Sequence, residues 1–235
     1  MRTFAFYILL TMVAIAVSEA KPMAWINVDT VDFGAVPTMT KFYRTITLKS
    51  IGDQPLVIDS VNTFCDCVSL PMDKKVLPPG DSLVTRLAFY SANYSGQIIR
   101  VSHIYTNAGR GSYLIPVTSF VVQDMEKYRP IYVKPIRIAA SQYGETGQTK
   151  YPFQILNNTD SPIPLKLIRT DKDFFDLDFP VFVPASGVAS GTLTLNKNGV
   201  DKEFETNITF EFINEESLVK RFSIPVFRKI YRRGN

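Results

Sequence analysis

The stretch "TITLKSIGDQPLVIDSV" at residues 45–61 decides the fold class, because its pattern returns as "PFQILNNTDSPIPLKLI" at residues 152–168. Both copies consist of an alternating apolar and polar run, a polar turn, a proline and a second alternating run. Alternation with a period of two, rich in β-branched and aromatic residues, is typical of half-buried β-strands. The copies start 107 positions apart (152 − 45), a spacing that indicates a repeated domain rather than a short structural repeat.

The same pattern continues on both sides of the first copy. Alternating runs such as "WINVDTVDF", "SLVTRLAF" and "QIIRVSHIYT" follow one another, separated by Gly, Pro, Asn and Asp, and no stretch keeps a helical period. We therefore predict an all-β chain of two tandem immunoglobulin-like β-sandwiches, at residues 21–125 and 126–235, joined near "QDMEKYR". The Cys…Trp…Cys spacing of antibody domains is missing, so neither copy is expected to be of that type.

The first twenty residues have the organisation of a signal peptide. Arg2 precedes the apolar run "FAFYILLTMVAIAV", and small residues Ser18 and Ala20 follow at the spacing that signal peptidase recognises. We expect cleavage before Lys21, a periplasmic or extracellular protein, and no transmembrane segment after cleavage.

The charge pattern argues against a nucleic-acid partner. The net charge is +4 and its carriers are scattered along the chain. One basic cluster lies in the C-terminal tail, at Arg228, Lys229, Arg232 and Arg233. A loose, solvated terminus is the prediction for it, with attraction to an acidic surface as the alternative.

A series of short motifs in the first domain resembles a known bacterial family. "VDFGAVP", "GDQPLVI", "TFCDCV", "PPG", Gly96 and "YTN" occur in this order. The combination resembles domain-of-unknown-function family 1573 (DUF1573), an Ig-like module related to the MSP and ASH domains of the PapD-like group, over about residues 28–121. The chain departs from the family in having Asp66 where Gly is usual and Ser50-Ile51-Gly52 where an Asn is favoured. The resemblance implies a fold and an exported location but brings no catalytic residues.

The only two cysteines, Cys65 and Cys67, are the candidate site residues. In an extended strand their Cα atoms would lie about 6.6 Å apart, so a disulfide requires a bend at Asp66. The alternatives are reduced thiols packed as small apolar groups, and a metal clamp completed by His103 or Met72. A thioredoxin-like role is disfavoured because it needs Cys-x-x-Cys at the start of a helix.

Other chemistry has little support in the sequence. Asp171, Asp173, Asp176 and Asp178 could attract calcium, but their alternation with Phe and Leu fits a strand edge with a solvated face. A single histidine, no nucleophile motif and no Gly-rich phosphate loop argue against an enzyme. We therefore predict no catalytic residue, no metal and no cofactor.

The functional prediction is a non-enzymatic, exported structural or protein-interaction module that binds a protein partner through sandwich edges and loops. One alternative is a periplasmic chaperone of the two-Ig-domain type. The other is a thiol-redox or copper-handling protein that uses Cys65 and Cys67.

Overall fold

The structure is a computed structural model that describes residues 20–109, 111–144, 147–213 and 219–231. The predicted signal peptide, apart from its last residue, and the tail residues Arg232 and Arg233 lie outside the described residues. The described chain is nearly all β-structure, which confirms the predicted fold class.

The first part of the chain forms nine strands and one short 3-10 turn. In chain order these are β1 (Ala24–Ile26), β2 (Val31–Pro37), β3 (Lys41–Ser50), β4 (Leu56–Asn62), β5 (Val68–Ser69), β6 (Val76–Leu77), β7 (Ser82–Tyr90), β8 (Gly96–Thr106) and β9 (Ser112–Val122), followed by the 3-10 turn (Met125–Lys127).

The second part contributes twelve described strands and one short helix. They are β10 (Ile131–Lys134), β11 (Ile138–Ala139), β12 (Gln142–Tyr143), β13 (Lys150–Asn157), β14 (Ile163–Pro164), β15 (Lys166–Arg169), β16 (Phe175–Asp178), β17 (Phe182–Val183), β18 (Val188–Leu195), α1 (Lys197–Asp201), β19 (Phe204–Ile213), β20 (Val219–Arg228) and β21 (Ile230–Tyr231).

Three main sheets arrange these strands, and one of them is shared by both parts of the chain. The first sheet has the order β1-β3-β7-β5, and the third has the order β10-β13-β18-β16. Between them lies the shared sheet, ordered β15-β19-β20-β2-β9-β8-β4-β6, with β11 also paired to β20. Two small ladders join β12 to β21 and β14 to β17. The parallel contact of β2 with β20 makes the sheet continuous across the two sandwiches.

Two hydrophobic cores pack on opposite faces of the shared sheet. Ala35 pairs with Phe222, and both side chains belong to the second core, whereas the next residue, Val36, belongs to the first. Successive residues of a strand point to opposite faces, so the sheet changes its buried face where the sandwiches meet. The domain boundary at residues 125 and 126 stays a prediction, although Ala35, Val122 and Met125 from the first segment belong to the second core.

Gly34 allows β2 and β20 to lie this close together. Its φ is +64°, and a Cβ atom there would come within 2.1 Å of the Arg221 carbonyl oxygen. The pairing of β2 with β9 also shifts register between Asp32 and Ala35. Only glycine combines the left-handed backbone with so close an approach of another strand.

A buried line of polar side chains crosses the junction. The Ser223 hydroxyl donates to the Phe33 carbonyl oxygen at 2.7 Å, and the Thr209 hydroxyl lies 2.8 Å from Ser223 Oγ. Asn207 Nδ2 donates to Thr209 Oγ1 at 3.1 Å, and Asn207 Oδ1 accepts from the Tyr43 amide at 2.8 Å. The Ser223 hydroxyl donates its hydrogen to the Phe33 carbonyl, so the Thr209 hydroxyl is the donor in its contact with Ser223 Oγ. Every polar group in the line therefore has a hydrogen-bond partner.

The prediction of a loose, solvated basic tail is wrong for Arg228, the first residue of that tail. Arg228 is only 1% exposed, since its guanidinium group donates to Ala140 O at 2.8 Å, Gln142 Oε1 at 2.7 Å and Val200 O at 2.7 Å. The next residue, Lys229, lies at the surface and pairs with Glu203 and Glu205. A guanidinium group with several carbonyl partners is stable inside a protein, so a basic run in sequence need not be solvated.

Candidate functional site

The chain turns at Asp66 and brings the two cysteines together. Cys65 and Cys67 are joined by a disulfide, with their Cα atoms 5.1 Å apart. Both residues pack against the first core, and Cys67 is 6% exposed. The turn supplies the bend that the sequence analysis required for such a bond; a functional role of the pair stays a prediction.

Next to this turn lies an exposed aromatic side chain. Phe64 is 66% exposed, and its ring centroid lies 5.0 Å from that of His103 in an edge-to-face arrangement. His103 Nδ1 lies 3.2 Å from Ser112 Oγ, and its ring also stacks on Tyr105. Met72 packs against the first core. The structure therefore places His103 in an aromatic row on the outer face of β8.

Of the four aspartates considered for calcium, Asp176 and Asp178 lie on an edge strand, and Asp171 and Asp173 lie in the loop that precedes it. Strand β16 pairs only with β18, and Asp176 and Asp178 alternate with buried Phe175 and half-buried Leu177. Within the described ranges, no group of three or more His, Cys, Asp and Glu side chains has the arrangement of a metal site.

A search of the described residues for membrane-spanning helices finds none of sufficient length and hydrophobicity.

A cleft of about 590 Å³ lies between the sandwiches. Its first wall comes from β3 and β7, through Arg44, Thr45 and Arg86. The second wall is the end of β15 and the following loop, and comprises Ile168, Arg169, Thr170, Asp171, Lys172, Asp173 and Phe174. A strand edge of one sandwich and a loop of the other thus line one space.

The part of β3 that lines this cleft has an incomplete set of strand partners. Strand β1 pairs only with the last residues of β3, from Leu48 to Ser50, and Asn27 extends this contact to Thr47. Over residues 41–46, the structure as described shows no strand on that side. Tyr43 and Thr45 are two positions apart, so their amides point the same way; that of Tyr43 is bonded to Asn207.

Contacts at one end of the cleft hold the sandwiches together. The Tyr43 hydroxyl donates to Glu205 Oε2, and Arg86 donates to the Glu205 carbonyl oxygen. The Arg86 guanidinium group also lies 3.8 Å from the centre of the Tyr43 ring. Burial, and then the hydrogen bond to Glu205, raises the pKa of the Tyr43 phenol, which therefore stays protonated at neutral pH.

Sequence reasoning missed the cleft arginines. Arg44, Arg86 and Arg169 are far apart in the sequence and were counted among scattered charges. The strand register places Thr45 opposite Arg86 and Arg44 opposite Leu87, so a correct pairing of β3 with β7 would have brought Arg86 next to Thr45 but would have placed Arg44 on the other face of the sheet. Arg169 carries no such signal, because it reaches the cleft only through the shared sheet.

Comparison with known proteins supports the fold and the family of the first sandwich. The family described as "Protein of unknown function (DUF1573)" matches residues 25–121. This match confirms the resemblance to the DUF1573 family that the sequence showed over the first sandwich. No curated protein is significantly similar to the chain in sequence.

Several solved structures are similar to the chain. A protein of unknown function from Porphyromonas gingivalis W83 has 12% identity and a TM-score of 0.35, covering 87% of this chain and 99% of that one. The human CEP192 ASH/PapD-like domain 7 has 5% identity and a TM-score of 0.39, covering 50% and 99%. The Pseudomonas aeruginosa CupB2 chaperone has 10% identity and a TM-score of 0.31, covering 85% and 99%.

Proposed function

We propose that the protein is an exported, non-enzymatic interaction protein that binds an extended segment of a partner polypeptide in the cleft between its sandwiches. The observation that carries this proposal is the side of β3 at residues 41–46 without a strand partner, which borders the cleft. Extended peptides add to such edges through backbone hydrogen bonds.

Other edges in the described chain are poorer candidates. The outermost strands of the three main sheets are short: β1 contains three residues, β5 and β6 contain two each, and β10, β15 and β16 contain four each. Short edge strands are a common protection against pairing with other chains. The open side of β3 is longer, and the neighbouring sandwich shelters it from indiscriminate pairing.

The periplasmic chaperone remains an alternative, because its ligand would also lie between two sandwiches. It makes the narrower claim that the partner is a subunit awaiting assembly. The thiol-redox or copper-handling alternative would act at the Cys65–Cys67 turn, and no geometric feature of that turn favours it over the cleft.

Removing one backbone donor tests the proposal. Proteins captured from the exported fraction by the full chain are identified and purified, and their affinities are measured by calorimetry. Thr45→Pro removes the amide on the open side of β3, and a proline is tolerated best at such an edge position. Val84→Pro is the matched control, since Val84 lies on β7, which pairs with β5 only at Phe89 and Ala88.

We expect Thr45→Pro to lose affinity for the partner and Val84→Pro to bind it as the unmodified protein does. All three proteins should have the same melting temperature. Equal affinity in all three proteins, or equal loss in both variants, would contradict binding at the β3 edge.

A further inference from the structure

Three arginines converge on the cleft from three strands. Arg44 lies on β3, Arg86 on β7 opposite Thr45, and Arg169 at the end of β15. Arg169 Nη2 donates to Thr45 Oγ1 at 3.2 Å, so the wall from the second sandwich reaches the strand edge of the first.

Among the residues that the structure describes, none of these three guanidinium groups forms an ion pair. Every ion pair found among the described residues involves other cations. Arg221 provides the contrast, because it contacts Glu211 Oε2 at 2.8 Å and Asp32 Oδ2 at 3.3 Å. Arg86 contacts an aromatic ring and a carbonyl oxygen instead, and Arg169 contacts a hydroxyl.

Two polar atoms at the cleft are buried without a hydrogen-bond partner in the described structure. They are Arg169 Nε and Thr170 Oγ1, on adjacent residues of the cleft wall. Buried polar atoms are nearly always bonded in folded proteins. A donor pair left open beside two further arginines is therefore suited to an acceptor brought by a ligand.

The electrostatics of the cleft point the same way. Burial, and then the charge of Arg44, lowers the pKa of Arg169 to about 10. Burial, followed by the charge of Arg221, also lowers the pKa of Arg44. Both groups stay protonated at neutral pH, so the folded protein holds like charges that a bound anion would stabilise.

The remaining charged groups that face the cleft leave it basic. Asp171 and Asp173 line the loop wall together with Lys172, and Asp171 raises the pKa of Arg169 against the stronger effects of burial and Arg44. Glu205, which contacts Arg86 through its carbonyl, directs its carboxylate to the Tyr43 hydroxyl and Lys229.

We propose that Arg44, Arg86 and Arg169 form a carboxylate-binding site, with Thr170 as an additional hydroxyl donor. The proposal rests on the proposed function and specifies its ligand: the bound segment carries an Asp or Glu side chain, or a C-terminal carboxylate, into the cleft. A planar carboxylate matches the planar fork of a guanidinium group. Half-buried Phe174 supplies an apolar wall for the residue that bears it.

Arginine side-chain NMR of the full protein tests the site directly. N-acetylglutamate α-amide presents a side-chain carboxylate, N-acetylalanine presents a terminal one, and N-acetylglutamine amide is the neutral control. At constant ionic strength, either acid is expected to shift the Arg169 Nε–Hε signal saturably. The Arg221 Nε–Hε signal should not move, because that group already donates to Glu211 at 3.0 Å. The acid that binds more tightly identifies the source of the carboxylate.

Arg169→Gln supplies a second readout. The acid probes should raise the melting temperature of the unmodified protein but not that of the variant, and affinity should fall about tenfold or more. The variant alone should melt no lower than the unmodified protein, since repulsion with Arg44 is relieved. Arg100→Gln is the control, because Arg100 stacks on Tyr94 away from the cleft.

The outcomes separate the two proposals. Acid probes that leave Arg169 unmoved, or inorganic phosphate that binds while both acids do not, would overturn the carboxylate site. A partner polypeptide that binds the unmodified protein and Arg169→Gln equally would also overturn it, while the proposed function survives. If the acid probes bind normally to Thr45→Pro but the unmodified protein binds no polypeptide, the carboxylate site is supported and the proposed function is contradicted.

Discussion

The side-chain amide of Asn207 accepts a hydrogen bond from the backbone amide of Tyr43 at 2.8 Å, across 164 residues of sequence. Asn207 is fully buried, and its other end donates to Thr209. At Tyr43, the Asn207 side chain therefore provides the hydrogen-bond acceptor that a neighbouring strand would otherwise provide at the edge of the first sheet. The second sandwich is thereby bonded to the wall of the cleft.

Asn207→Ala should lower the free energy of unfolding by about 1–3 kcal/mol, because the part-buried Tyr43 amide loses its acceptor and the buried Thr209 hydroxyl loses the donor Asn207 Nδ2. Urea unfolding measures this loss. Asn93→Ala, at an exposed turn, should stay within about 0.5 kcal/mol of the unmodified protein. Equal small effects in both variants would show that water replaces the Asn207 contacts at no cost.

Gly34→Ala should destabilise the junction of the shared sheet strongly, since a Cβ atom would overlap the Arg221 backbone. Gly80→Ala is a matched control, because Gly80 has a φ of +83° but no atom within 4 Å of the added Cβ. Both variants carry the left-handed backbone penalty of about 1–2 kcal/mol, and the difference in their melting temperatures isolates the overlap. Equal melting temperatures would mean that β2 and β20 can separate slightly without loss.

Reduction of the Cys65–Cys67 bond should cost less than its removal by Cys65→Ala/Cys67→Ala. The closed loop is far shorter than the 15-residue loops for which a disulfide contributes about 3 kcal/mol. The double variant also loses packing, because Cys67 is 6% exposed in the first core. Thermal unfolding with and without dithiothreitol compares the two. The prediction fails if reduction alone produces the whole loss.

Arg228→Ala should lower the free energy of unfolding by about 2–4 kcal/mol, since the carbonyl groups of Ala140 and Val200 lose their charged donor inside the protein. Lys229→Ala, at the neighbouring surface position, should change it by about 0.5 kcal/mol or less. Chemical unfolding of both variants checks the contrast. Similar losses would show that the position in the strand, and not the burial of the guanidinium group, sets the cost.

The exported protein should begin at or near Lys21, because Ser18 and Ala20 provide the small residues that signal peptidase recognises. Mass spectrometry of the protein recovered from the exported fraction determines its N-terminus. An intact Met1 there would contradict the cleaved signal peptide and the oxidising location expected for the cysteines.

The repeated pattern at residues 45–61 and 152–168 predicted the strands well. Ile46, Leu48 and Leu56 are fully buried, and their counterparts Phe153, Ile155 and Ile163 are at most 4% exposed. Alternation reports which face of a strand is buried, and this information is local. The sequence could not show that β2 pairs with β20, since that register depends on Gly34 meeting a strand close to the other end of the chain.

The cleft could not be predicted from the sequence for the same reason. Arg44 and Arg169 approach each other only after the first sheet has packed against the shared one, so their meeting has no sequence signature. Arg228 was misjudged because charge alone suggested a solvated tail, whereas its surroundings offer carbonyl groups in a fixed arrangement.

The pairing of β2 with β20 also sets an order of assembly during protein synthesis. Ser223 bonds to Phe33 across 190 residues, so the ribosome makes the two partners roughly 10–40 s apart at about 5–20 residues per second. Throughout that interval the first sandwich has one flank of β2 uncovered. The arginine cleft cannot exist until the final long strand arrives, so a chain interrupted shortly before β20 carries the first sandwich without the proposed carboxylate site.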